Sequence, residues 1–143
     1  MNINLLTADP ATVKASAELD ALIAGPDWMN YGARLVRESV SSNLGVGYCD
    51  RCVVGNRQWS PSTNAAHAGE ARRVADLWTL SLLRVGEHSR IVCGLSKDGV
   101  YGEGHCDLAE VYGDKKLAEA LATCRAILAA VQAKHKQENE HGN

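Results

Sequence analysis

TLSLLRVGEHSRIVCGLSKDGVYGEGHC, residues 79 to 106, decides the fold class. It reads as three strands, TLSLLRV, RIVCGLS and VYGEGHC, joined by GEHS and KDG. The Asp98-Gly99 step is a strong signal for a two-residue hairpin, so an antiparallel meander is expected. In the first strand Leu80 and Leu82 fall on one side, while Leu83 and Val85 lie near the other. In the second, Ile91 and Cys93 oppose Val92. Apolar side chains on both faces call for cover on both. The expected fold is therefore α+β, an antiparallel three- to four-stranded sheet with helices on both faces, a helix/sheet/helix sandwich.

The flanks supply the helices. Asp9-Pro10 reads as a cap followed by proline at the first helical position, and Ala15, Leu19, Leu22 and Ile23 recur at helical spacing until Gly25-Pro26. Ser62 or Thr63 is expected to cap a second helix whose buried face holds Asn64, His67, Ala68, Ala71, Val74, Ala75 and Trp78, with Arg72 pointing elsewhere. A closing helix follows Asp114, with Leu117, Leu121, Cys124, Leu128 and Val131 as its apolar stripe. Residues 27 to 58 carry no steady period and read as a long irregular excursion, and 138 to 143 as a frayed tail. The whole chain, 1 to 143, is read as one domain.

Bulk properties narrow the function classes. Fifteen Lys plus Arg against seventeen Asp plus Glu give a net charge of -2, so no overall positive field exists to hold a nucleic acid polymer or an acidic membrane. No run approaches the roughly 18 apolar residues of a membrane span, and MNINLLTADP has no secretory n-region or h-region, which predicts a cytoplasmic protein. Five cysteines at mixed spacings read as reduced thiols.

Several constellations could carry chemistry. Cys49-Asp50-Arg51-Cys52 has the spacing of a zinc knuckle, with Cys93 and His105 or Cys106 available to complete a set, but the latter two are adjacent rather than a tight pair. The GEG of Val100 to His105 lacks a following helix and marks a place where a backbone or ligand approaches closely. His67 reads as a hydrogen-bonded core or interface residue. Arg125 falls at the border of its helix's apolar stripe, where a guanidinium can reach a phosphate or a surface carboxylate. Residues 57 to 63 combine the cation of Arg57, the flat face of Trp59 and the hydroxyls of Ser60, Ser62 and Thr63 before a helix N-terminus. Those parts suit anion binding and base stacking.

At Trp59-Ser60-Pro61-Ser62-Thr63-Asn64, at Leu121-Ala-Thr-Cys-Arg-Ala-Ile-Leu and at Ala17 to Ala24, the chain resembles small phage proteins carrying the phage ABA sandwich domain. It departs from them at residues 25 to 56, which hold the CDRC segment. In size and layout it is also similar to the phage Thoeris anti-defence sponges. That resemblance implies a homo-oligomeric phage protein in the bacterial host cytoplasm that sequesters a small cyclic nucleotide, of the cyclic ADP-ribose type or a cyclic oligonucleotide. It implies no catalysis and no cofactor, with Arg125 on a phosphate and Arg57 and Trp59 at the base. Pockets are then expected between subunits. Two alternatives remain: an accessory protein-binding module with Trp28, Trp59 and Tyr48 as exposed anchors, and a small zinc-supported protein.

Overall fold

The computed structural model describes residues 4–141, as α1 (Ala17–Ala24), β1 (Ala33–Ser42), β2 (Gly45–Val54), β3 (Arg57–Gln58), α2 (Ala65–Arg72), β4 (Leu77–Val85), β5 (His88–Lys97), β6 (Val100–Asp107) and α3 (Lys115–His141). The three strands expected from the meander are β4, β5 and β6, antiparallel in that order. Asp98 and Gly99 both take the left-handed conformation that their two-residue turn requires. The α+β helix/sheet sandwich is the architecture of the chain.

Helix α3 packs on β5 and β6. It comes this close because the GEG segment has no side chains in the way. A Cβ at Gly102 would collide with the Ala126 carbonyl, and one at Gly104 with the Ala126 amide. Small residues on the helix, Ala122, Ala126 and Ala130, complete the contact. The close approach read from the sequence is therefore made by backbone. Ile91, Cys93, Leu95, Val100 and Cys106 join Leu121, Ile127 and Leu128 in one core. Helix α3 is buried continuously from Ala120 to Leu128, because α2 and α1 pack against it away from the sheet.

Both faces of β4 are apolar, as expected, but the helices of the chain lie on one face of this sheet. The second face carries Leu83 and Tyr101, both exposed. β4 itself extends beyond α3, so Leu82, on the helix side, is exposed as well.

Local starts differ from the sequence reading where a better cap was present. Asp9 closes a turn on the Ala11 amide, and α1 instead begins after Ser16, whose hydroxyl accepts from Leu19 N at 3.1 Å. Asn64, rather than Ser62 or Thr63, caps α2 by accepting from Ala66 N and His67 N. α2 ends at Arg72, so Trp78 belongs to β4 and does not extend a helical stripe. Arg72 is buried: its guanidinium donates to Thr123 Oγ1 and Glu119 Oε1 on α3 and lies over the Trp78 ring. Asp114 caps α3 as expected, and the helix runs through 138–141, the first part of the tail expected to fray at 138–143, whose last two residues lie outside the described residues.

The largest correction concerns residues 27 to 58. They are no irregular excursion: β1 and β2 form a ten-on-ten hairpin, in register from Ala33↔Val54 to Ser42↔Gly45, and β3 adds a short third strand. Its base packs on α1. Its outer half projects away from the core. Among the described residues no helix is long and apolar enough to cross a membrane.

Candidate functional site

A cleft of ≈ 320 Å³ lies between the start of α1, the hairpin and the segment after β3. That segment folds back on itself: Trp59 N donates to Cys52 O at 2.9 Å, and Thr63 N and Asn64 N both donate to Ser60 O. The turn brings Ser60, Ser62 and Thr63 to the cleft, opposite Ser16, Asp20 and the Glu38–Arg51 ion pair. Four of the six residues proposed from the sequence, Trp59, Ser60, Ser62 and Thr63, thus share one wall.

Asp20 is the chemically distinctive group there. It is buried, its main-chain carbonyl accepts the Trp59 indole N–H at 3.2 Å, and its carboxylate accepts Ser62 N–H at 2.8 Å. Burial raises its pKa to about 6, with Ser62 pulling it the other way. The buried Ser62 hydroxyl meets no hydrogen-bond geometry with any group. Cys52 is desolvated beside Asp20, and its thiol is pushed up to about 11. It is held protonated and is a poor nucleophile. With Asp20, Glu38 and Asp50 against Arg51, the lining is net acidic.

Trp59 is 0 % exposed, so it offers no stacking platform for a base. Its ring stacks on His67 at 5.1 Å between centroids, meets Tyr31 edge-on at 6.0 Å, and has the Arg57 guanidinium at 5.3 Å. The indole therefore ties α1 to α2, while the Trp59 main chain holds β2, a structural use that explains a tryptophan in this place. Ser60 N donates to His67 Nδ1 at 3.0 Å, and desolvation, followed by the charge of Arg57, lowers the imidazole pKa. His67 is the hydrogen-bonded interface residue the sequence suggested.

The two arginines are committed to protein groups. Arg57 is outside the cleft wall and pairs with Glu70, Nη2 to Oε2 at 2.7 Å. Arg125 was expected at the edge of its helix but is 1 % exposed. Its Nε donates to Val13 O, Nη1 to His105 O and Glu110 Oε2, and Nη2 to Glu110 Oε1. The N-terminal segment and the 3-10 turn Leu108–Val111 cover this side of α3, which makes the border position internal.

The zinc motif is taken apart by the strand that carries it. Cys49 and Cys52 are three residues apart on β2 and face opposite sides, one exposed and one buried. Among the described residues no three His, Cys, Asp or Glu side chains gather as a metal site. Of the proposed aromatic anchors, Trp28 is buried, its indole N–H donating to Ala71 O at 2.8 Å, and Tyr48 is exposed.

The second candidate surface is the outer hairpin, which the sequence reading took for an irregular excursion with Tyr48 among its exposed anchors. Leu44 at the turn is 100 % exposed, and Val46 and Tyr48 on one face are each 65 % exposed. Val40 is exposed on the other face. Compared with known proteins, no family model, curated protein or solved structure matches the chain.

Proposed function

We propose that the protein is a non-catalytic binding module that engages another protein through the outer half of the β1–β2 hairpin. One observation carries this reading: a two-stranded ribbon with Val40, Leu44, Val46 and Tyr48 in solvent, covered by nothing else among the described residues. A lone hairpin is marginal in water, and exposed apolar groups of this kind gain most by being covered. The test places a photo-crosslinker at position 44 in cells, with one at the equally exposed Tyr112 as control. A defined protein adduct from position 44, competed away by unlabelled chain and absent from position 112, supports the reading. Equal labelling from both positions overturns it.

A second reading, sequestration of a small cyclic nucleotide in a bacterial host cytoplasm, is favoured by the convergence of Ser60, Ser62 and Thr63 on the cleft beside the first turn of α1. The likeness to the phage ABA sandwich domain points the same way. Its difficulty is charge: a phosphate there faces Asp20, Glu38 and Asp50, with Arg51 already paired. Calorimetric titration with cyclic ADP-ribose isomers and cyclic oligonucleotides decides it, and absence of heat with every one retires it.

A further inference from the structure

Each sheet ends in edge strands, β1 and β3 in one and β4 and β6 in the other, and proteins ordinarily guard such edges with charges, proline, bulges or a covering helix. β6 lies under α3, and its exposed face bears Glu103. β1 carries Arg34, Arg37 and Glu38. β4 has none of these devices. It is nine residues, LWTLSLLRV, with continuous register to β5, no proline and a single charge. Leu77 is 74 % exposed, and Trp78, Leu82, Leu83 and Val85 are exposed with it.

The direction of its free groups follows from the hairpin. Val85 and His88 flank a two-residue turn and so hydrogen-bond to each other. Alternation from there turns the main-chain groups of Val85, Leu83, Ser81, Thr79 and Leu77 toward β5. Those of Arg84, Leu82, Leu80 and Trp78 point outward.

We propose that two copies of the chain pair through β4, antiparallel and centred on Ser81, joining two three-stranded sheets into one. This register uses all nine residues and is self-complementary at each. Leu80 faces Leu82 of the other copy, Leu77 faces Val85, Thr79 faces Leu83, and Ser81 faces Ser81. The strand's only charge, Arg84, meets the Trp78 ring of the other copy, a cation–π pair, and lies diagonal to its Asp76. No like charges oppose. Shifting the register by two residues strands Arg84 and Val85, or Leu77 and Trp78, without partners. The exposed side chains of β4 offer on the order of 500 Å² of apolar surface per copy, so the pairing can bury at most about 1,000 Å² of it, the lower bound of a specific interface.

The experiment is sedimentation velocity at about 100 µM, a concentration suited to an interface of this size, with variants at the axis. The wild-type chain is expected to be a dimer. Ser81→Lys sets two ammonium groups face to face and weakens it roughly tenfold or more. Ser81 is exposed in the single chain, so the variant keeps its circular dichroism and melting temperature. In a Cys49→Ser background, Ser81→Cys forms an intermolecular disulfide under mild oxidation, because non-hydrogen-bonded partners stand about 4.5 Å apart at Cα. Thr79→Cys does not, its two copies being roughly 14 Å apart in this register. A monomer at that concentration, a dimer indifferent to Ser81→Lys, or equal cross-linking at 79 and 81 overturns the proposal. None of these outcomes touches the hairpin reading, which concerns a different surface.

Discussion

Asp20→Asn is expected to stabilise the protein at neutral pH. The carboxylate is buried beneath the cleft, and its pKa rises from 3.8 to about 6 chiefly because burial penalises the charged form. The folded state thus binds a proton more tightly than the unfolded chain. Asp20 leaves stability undiminished below about pH 3.8, erodes it as pH rises toward 6, and costs its full amount above that. Each pH unit of that interval is worth about 1.4 kcal/mol, so the cost at pH 8 is at most about 3 kcal/mol. Asparagine keeps the acceptor that receives Ser62 N–H, and its amide can donate to the partnerless Ser62 hydroxyl. Urea denaturation of both proteins at pH 4 and pH 8 is the assay. The variant should gain roughly 2 to 3 kcal/mol at pH 8 and little at pH 4. An equal difference at both pH values, or a loss at pH 8, would show that burial of charge is not what Asp20 costs.

Arg125→Met strips Val13 O, His105 O and Glu110 of their shared donor and should cost about 3 kcal/mol in urea denaturation, with lysine, which lacks the planar fork, restoring little. Glu110 has the opposite pH sign to Asp20: its hydrogen bond to Arg125 holds its pKa below 4.5, so its contribution is complete above pH 4.5 and fades as pH falls through the folded value. Glu110→Gln should flatten that acid limb in a pH series. Gly104→Ala sets a methyl against the α3 backbone and should cost about 1 to 3 kcal/mol or more, read as a fall in melting temperature. Of five cysteines, Cys49 alone is exposed, so a thiol reagent should modify one group quickly and the other four at the rate of unfolding.

How far the sequence could be read depended on what set each element. The β4–β6 meander and α3 were legible because Asp98-Gly99 fixes a turn by local chemistry and the helical period is kept by burial over several turns. The β1–β2 hairpin was not, because its outer half faces water on both sides and so has no period-2 alternation to detect. Its one local signal was Gly55-Asn56, the turn between β2 and β3. The site residues failed for a different reason. Arg125, Arg72 and Trp59 were judged from the helix or segment that carries each, but their environments come from elements distant in sequence: Val13 and Glu110 for one, Thr123 for the next, Asp20 and His67 for the last. A polar side chain at a helix border is equally suited to a ligand and to an adjoining element of its own chain. Here the chain claimed the arginines and the tryptophan. Exposed apolar side chains gather on the hairpin and along β4, and that is why contact with other proteins, rather than with a phosphate at the cleft, is the reading the molecule best supports.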